Sequence, residues 1–183
     1  MILFVFYQRG KVRLRKWDLE MLLEGEKEHK FFVDAMLGNI AKKLRLMGYD
    51  SRYLPHIEDD ELIKSAKKDN RIIISRDKDL IRKAQKYAIK FIFLKNNLEI
   101  EQFREIINKL NLKIIEINGD KARCPKCNSK TKSVIKNNIH KKIPNKVLEY
   151  NDKFWECTDC NKIFWEGTHI KNLQKFVGEL NEK

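Results

Sequence analysis

Proline, glycine and cysteine are scarce in this chain, and it has no long apolar run. The 183 residues include 3 Pro, 7 Gly and 4 Cys, a composition that excludes a linker, a disordered chain and a fibrous protein. No stretch approaches the roughly 18 to 20 apolar residues of a membrane span, and Met1 to Tyr7 lacks the basic start of a signal peptide. We therefore expect a cytoplasmic protein without membrane contact, whose cysteines are metal ligands or buried thiols.

Acidic residues are outnumbered by basic ones. The chain has 39 Lys and Arg against 26 Asp and Glu, a formal charge of +13, which excludes an acidic buffer or a nucleic-acid mimic. The excess is concentrated between residues 121 and 146, where nine Lys or Arg occur without one Asp or Glu. Such a segment favours a polyanion as partner.

Short apolar runs bounded by charged residues predict strands. Phe31 to Val33, Ile72 to Ile74 and Phe91 to Leu94 have the β-branched and aromatic content of buried strands, and Ser51 to Leu54 is a weaker one. The residues between these runs show apolar side chains at helical spacing. This alternation predicts an α/β fold with a mainly parallel sheet covered by helices on both faces. The spacing also predicts a helix that carries Leu98, Phe103, Ile106, Ile107 and Leu110, followed by a candidate last strand with Ile114, Ile115 and Ile117.

The composition divides the chain into three parts. Residues 1–29 form an extension of unknown role, in which Met1 to Tyr7 is a candidate strand and Trp17 to Leu23 a candidate helix. Residues 30–118 form the α/β unit, and residues 119–183 form a small basic domain that ends in an amphipathic helix from Thr168.

Two Cys-x-x-Cys pairs predict a zinc site. Cys124 and Cys127 form one pair and Cys157 and Cys160 the other, with 29 residues between the inner members. Two such knuckles can place four thiolates around one ion, and soft thiolates select zinc. A thioredoxin-like motif would need a single pair beside a βαβ unit. Because no open coordination position is evident, we expect the ion to be structural and to stabilise the small domain.

Aromatic residues flank the second pair of cysteines. Phe154 and Trp155 precede it, and Phe164 and Trp165 follow it. Interleaved with lysines, they are candidates for stacking on RNA bases. The alternative is that they cover the thin core of a zinc ribbon.

Acidic residues follow two of the predicted strands. Asp34 comes directly after Val33, and Asp77 and Asp79 follow the Ile72 to Ile74 strand. Groups at the carboxyl ends of parallel strands converge on one crevice, and the run Glu58 to Glu61 can add a further acid. Clustered carboxylates favour Mg²⁺ or Mn²⁺, which assist phosphodiester hydrolysis. The alternative for each acid except Asp34 is a helix cap or a first-turn charge.

Several of these motifs together resemble the Mut-7 C-terminal RNase domain family over about residues 30–176. The cysteine knuckles and Phe164 to His169 are similar to that family's appended zinc ribbon. The resemblance implies a PIN-like α/β/α sandwich and metal-dependent ribonuclease activity. It is carried in the α/β unit by Phe32 to Gly38, Leu44 to Asp50, Asp59 to Leu62 and Ser75 to Asp79. By position, Asp34, Asp77 and Asp79 match the acidic site and the magnesium or manganese ligands, and Asp59 and Asp60 are our choices for the remaining catalytic acid.

We predict a metal-dependent endoribonuclease that hydrolyses RNA, with ribosomal and transfer RNA as candidate substrates. The expected RNA-binding residues are Lys42, Lys43, Arg76, Lys126, Lys141 and Lys142. Pairing into a homodimer is an expectation of the resemblance. Two alternatives stay open: a non-catalytic RNA-binding or ribosome-associated module, and a ribosomal RNA maturation nuclease.

Overall fold

The computed structural model describes residues 5–6, 11–12, 29–112 and 115–182. In the N-terminal extension, β1 (Val5–Phe6) pairs antiparallel with β2 (Lys11–Val12), so a strand does occur within Met1 to Tyr7. The predicted helix at Trp17 to Leu23 lies outside the described residues. Within the described ranges, every helix is too short or too polar to cross a bilayer.

A parallel sheet of four strands forms the centre of the chain. The strands are β3 (Lys30–Val33), β4 (Asp50–Tyr53), β5 (Ile72–Ser75) and β6 (Phe91–Phe93). They lie in the order β4-β3-β5-β6, and every adjacent pair is parallel. The connecting helices are α1 (Gly38–Leu46), α2 (Asp59–Lys68) and α3 (Lys78–Lys86), and α4 (Glu99–Leu110) follows β6.

Side chains that alternate along the strands build a core on each face of the sheet. Phe31 and Val33 pack on one side with residues of α1 and α4, and Phe32 packs on the other with residues of α2 and α3. This confirms the predicted α/β class and the helices on both faces. The chain turns in opposite directions from β3 and β5, so the crevice at their carboxyl ends is the switch point of the sheet.

The C-terminal part contains a smaller antiparallel sheet. Its strands are β7 (Thr131–Val134), β8 (Phe154–Cys157) and β9 (Ile163–Trp165), with β8 in the middle. A short helix, α5 (Asn145–Tyr150), lies between β7 and β8. Ile139, Phe154 and Ile163 form a separate small core under this sheet.

The last helix, α6 (Thr168–Asn181), packs back on the α/β unit, as its amphipathic pattern predicts. Phe176 meets Phe103 of α4 edge to face, with the ring centroids 5.3 Å apart, and Leu180 joins the core of β3 and α1. The division at residue 118 stays a prediction, because α6 shares a core with the unit that precedes it.

The candidate strand with Ile114, Ile115 and Ile117 is wrong for the described residues 115–118, which form no strand; Ile114 lies outside them. The side chain of Asn181 takes the place of a partner strand. Its Nδ2 donates to the Ile115 carbonyl at 2.8 Å, and its Oδ1 accepts from the Ile115 N–H at 3.1 Å. A side-chain amide thus satisfies the backbone groups that a sheet would otherwise use.

Candidate active site and zinc centre

The four cysteines come together as predicted. Among the described residues 29–112 and 115–182, they are the one set of His, Cys, Asp or Glu side chains of three or more members whose ligand atoms all lie within 4.8 Å. The Cys124 and Cys160 sulfurs are 3.6 Å apart, and those of Cys127 and Cys157 are 3.3 Å apart. A tetrahedral site with Zn–S bonds of 2.3 Å has sulfurs about 3.8 Å apart. The thiols therefore fit one zinc ion.

Both cysteine pairs use the same turn. Each is followed by an asparagine in the left-handed region, Asn128 at φ 71° and Asn161 at φ 56°, a conformation that asparagine tolerates better than most residues. The Cys160 N–H points at the Cys157 sulfur across 3.4 Å. The repeated Cys-x-x-Cys-Asn pattern is a signal in the sequence that our reasoning missed.

The thiols experience unlike surroundings. Burial raises the pKa of Cys124 to about 12. For Cys127, desolvation is outweighed by hydrogen bonds from the backbone and side chain of Ser129 and from Cys157, which lower its pKa to about 6. A metal ion binds the thiolate form and favours deprotonation of every ligand.

The first knuckle is anchored to the α/β unit through Arg45 of α1, which is only 5% exposed. Its guanidinium donates to the carbonyl oxygens of Ser51 and Pro125, both at 2.8 Å. Desolvation lowers the Arg45 pKa, whereas the neighbouring Cys124 and Cys127 thiolates act to raise it.

At the carboxyl ends of the two central strands, β3 and β5, Ser75 connects two of the predicted acids. The Asp34 N–H continues the β3–β5 pairing by donating to the Ile74 carbonyl at 3.0 Å. Ser75 is fully buried; its hydroxyl donates to Asp34 Oδ2 at 2.5 Å and accepts from the Asp77 N–H at 2.9 Å. The half-buried Asp34 carboxylate makes no capping bond to the 3₁₀ turn that follows it. Asp34 and Asp77 therefore share one buried hydroxyl at the switch point.

The other acids have local partners. Asp77 Oδ1 caps α3 by accepting from the N–H groups of Asp79 and Leu80, as the alternative interpretation expected. Exposed Asp79 pairs with Arg82 at 3.0 Å. Lys83 of α3 donates to the carboxylates of Asp59 and Asp60 of α2, at 3.3 and 3.0 Å, and these hydrogen bonds raise the pKa of the half-buried lysine.

This arrangement fits Mg²⁺ or Mn²⁺ through its donor type and not through a closed cage of acids. Asp34, Ser75 and Asp77 offer hard oxygen atoms, while no three carboxylates in the described ranges meet within 4.8 Å. Mg²⁺ characteristically takes one or two protein carboxylates and keeps several waters or substrate oxygens. The predicted carboxylate metal site stays a prediction.

The predicted RNA-binding residues fall into two groups. Lys42, Lys126 and Lys141 are exposed. Three others already have partners: Lys43 with Glu99 at 2.7 Å, Lys142 with Glu156 at 2.7 Å, and Arg76 with the side chain of Asn97. The Lys142 hydrogen bond also lowers the pKa of Glu156.

The two tryptophans of the ribbon differ in accessibility. Trp155 is buried and its indole N–H donates to Asp120 Oδ1 at 2.9 Å, which supports the core-covering alternative over base stacking. Phe164 and Trp165 are half-buried and line a shallow cleft between the ribbon and the α/β unit.

Comparison with known proteins identifies one relationship. A family model described as the Mut7-C RNAse domain matches residues 29–177. Searches of the curated proteins and of the solved structures give no significant match.

Proposed function

Because the chain belongs to the Mut7-C RNAse domain family, we propose that it is a PIN-like, metal-dependent endoribonuclease whose zinc ribbon helps to bind RNA. The observation that carries the catalytic assignment is the Asp34 carboxylate, half-buried at the switch point and held by the buried Ser75 hydroxyl. An aspartate placed after an apolar strand is costly to desolvate. Its position is therefore best explained by a cation that binds there.

In this proposal, each acid has a stated task. Asp34 presents an oxygen to the cation and Ser75 fixes its rotamer, while Asp77 contributes the oxygen that does not cap α3. Asp79, Asp59 and Asp60 lie at helix starts and would add negative charge around the site. Bound Mg²⁺ or Mn²⁺ supplies Lewis-acid polarisation of the phosphodiester and a lowered pKa for attacking water.

RNA binding is supported by charge. Four thiolates and one zinc ion contribute −4 + 2 = −2, so the chain keeps +13 − 2 = +11 with zinc bound. Exposed Lys42, Lys126 and Lys141 are available for phosphate contacts, which need no base sequence. We propose a structural role for the zinc, a cytoplasmic location, ribosomal or transfer RNA as substrate and a homodimer as the assembly.

A second candidate is a non-catalytic RNA-binding or ribosome-associated module. It is favoured by the capping bonds of Asp77 and by the Lys83 pairs of Asp59 and Asp60, since these contacts give the acids structural roles. A ribosomal RNA maturation nuclease is the narrower catalytic alternative. Metal-dependent turnover separates the non-catalytic module from both nucleases, and sequencing of the product ends separates a nuclease of general RNA decay from a maturation nuclease.

The experiment compares purified parent, Asp34→Asn and Asp152→Asn proteins on end-labelled RNA, with and without Mg²⁺ or Mn²⁺. Asp152 is a matched control because its side chain is 95% exposed in the ribbon, where its ion pair among the described residues is with Lys136 at the surface. We expect cleavage by the parent and by Asp152→Asn in the presence of metal, with 5′-phosphate products, and none by Asp34→Asn.

Binding is measured on the same proteins, so that a loss of cleavage is not confused with a loss of RNA. Affinity of all three for single-stranded RNA should fall with salt, by about 0.7 log unit per phosphate contact for each tenfold rise. Cleavage by Asp34→Asn at the parental rate would refute the catalytic role of Asp34. Cleavage by the parent without metal would refute the catalytic role of the metal ion.

A further inference from the structure

Arg45 joins the first zinc knuckle to the α/β unit by hydrogen bonds in both directions. Its Nε donates to the Ser51 carbonyl at 2.8 Å, and one terminal nitrogen donates to the carbonyls of Pro125 and Lys126 at 2.8 and 3.3 Å. In return, the Arg45 carbonyl accepts from the Arg123 N–H at 2.8 Å. Pro125 and Lys126 are the two residues between Cys124 and Cys127, so the guanidinium lies directly behind the knuckle.

Asn128 makes a second connection at the same place. Its Oδ1 accepts from the Ser51 N–H at 3.0 Å, and its Nδ2 donates to Asp50 Oδ1 at 2.8 Å. The Asp50 carboxylate also accepts two hydrogen bonds from Arg71, at 2.6 and 3.2 Å. The knuckle thus rests on the beginning of β4 through a network that includes charged groups with little exposure.

Arg45 brings a positive charge to the back of the first knuckle. It is only 5% exposed, and its guanidinium donates to backbone carbonyl oxygens of Ser51, Pro125 and Lys126. Negative charge on Cys124 and Cys127 favours the charged form of this guanidinium, against the effect of burial. A zinc ion with four thiolates carries +2 − 4 = −2. Buried charge is costly unless it is compensated, and the zinc–thiolate centre would supply negative charge beside Arg45.

We propose that Arg45 is a positioning residue of the zinc centre, whose guanidinium both holds the first knuckle and compensates the charge of the zinc–thiolate group. This inference rests on the proposed binding of zinc. The Arg45 contacts then couple zinc binding to the α/β unit. If zinc stabilises these contacts, the contacts raise the affinity for zinc by the same factor. Residues around metal ligands commonly change metal affinity by about 10- to 100-fold.

The test measures zinc affinity of the full-length chain by competition with a chromogenic chelator. Arg45→Gln keeps hydrogen-bond donors and removes the charge, and Arg45→Lys keeps the charge and loses the planar fork. Arg52→Gln is the matched control, because Arg52 lies next to Ser51 on β4 and its guanidinium hydrogen-bonds to Asp69 and not to the knuckle. We expect a loss of about 10- to 100-fold for Arg45→Gln, a smaller loss for Arg45→Lys, and no change for Arg52→Gln.

Equal losses in the Lys and Gln variants would overturn charge compensation, and parental affinity in Arg45→Gln would overturn the whole inference. A measurement on the parent chain remains decisive if Arg45→Gln does not fold. Hydrogen exchange at the Ser51 and Arg123 amides, which bond to Asn128 and Arg45, should speed up when zinc is chelated; unchanged protection there would refute the link. A purified chain that binds no zinc would instead contradict the proposed function.

Discussion

Removal of a single buried hydroxyl tests how the candidate active site is held together. Ser75→Ala deletes the group that donates to Asp34 and accepts from the Asp77 N–H. Ser51 offers a matched control on the same sheet. It is also fully buried, yet its hydroxyl has no hydrogen-bond partner among the described residues. The two substitutions remove the same atom from equally buried positions and differ only in the hydrogen bonds that are lost.

The expected magnitudes follow from those bonds. A hydrogen bond to a charged group stabilises a protein by about 1.5 to 3 kcal/mol. The Asp77 N–H that Ser75→Ala leaves unpaired adds little, because Asp77 is exposed and water can replace the hydroxyl. Ser75→Ala should therefore lower the free energy of unfolding by about 2 kcal/mol. Ser51→Ala removes an unsatisfied polar atom and should be neutral or slightly stabilising.

Urea unfolding followed by circular dichroism measures both effects, and RNA cleavage measures the functional one. Since Ser75 fixes the Asp34 rotamer, Ser75→Ala should also slow cleavage by about 10- to 100-fold, in the range seen when supporting groups of a metal site are removed. Ser51→Ala should cleave at the parental rate. Equal stability of the two variants, within about 0.5 kcal/mol, would refute the reasoning.

Asp50→Asn and Gly119→Ala test the attachment of the ribbon, with Gly178→Ala as a comparison in an open position. Burial raises the pKa of Asp50, but hydrogen bonds from Arg71 outweigh this effect and lower the pKa. Asp50→Asn should therefore lower the free energy of unfolding by about 3 kcal/mol at neutral pH. In urea titrations, this gap in unfolding free energy between parent and variant should narrow below about pH 4, because the parent carboxylate is then protonated. A gap that stays constant down to pH 2 would contradict it. A Cβ at Gly119 would lie 2.2 Å from the Trp155 ring, whereas one at Gly178 meets nothing within 4 Å. Gly119→Ala should lower the unfolding free energy by about 1 to 3 kcal/mol and Gly178→Ala should raise it by up to about 1 kcal/mol; equal melting temperatures would count against both.

The sheet was predictable because most of its strands have a clear local signal in the sequence. Buried parallel strands are short and apolar on both sides, as in Phe31 to Val33 and Ile72 to Ile74, and the helices between them carry periodic apolar stripes. The position of β4 at the edge beside β3 has no comparable local signal. The false strand after α4 failed for a related reason, since the partner of Ile115 is the Asn181 side chain, 66 residues away.

Site residues were predictable where chemistry fixes the spacing. Two Cys-x-x-Cys pairs predict their own convergence, because a shared metal ion imposes it. The environment of Arg45 was not predictable, since helical spacing places it beside Lys42 and two of its three carbonyl partners lie 80 and 81 residues away. The carboxylates were predictable in part. The position of Asp34 directly after a strand brings it to Ser75, as expected for the carboxyl ends of parallel strands. The ion pairs of Asp59 and Asp60 with Lys83 depend on how α2 packs against α3, which no local pattern shows.

The register of the sheet separates the ribbon from the acids. β3 and β4 run parallel from Lys30 opposite Asp50 to Val33 opposite Tyr53. The knuckle contacts Ser51 near the start of these strands, and Asp34 follows their end. At about 3.3 Å per residue, the two points are about 10 Å apart along the sheet. Helix α1 spans this interval, with Gly38 beside Tyr53 at one end and Arg45 behind the knuckle at the other. In the proposed function, the ribbon therefore lengthens the RNA footprint along α1 and does not line the carboxylate site.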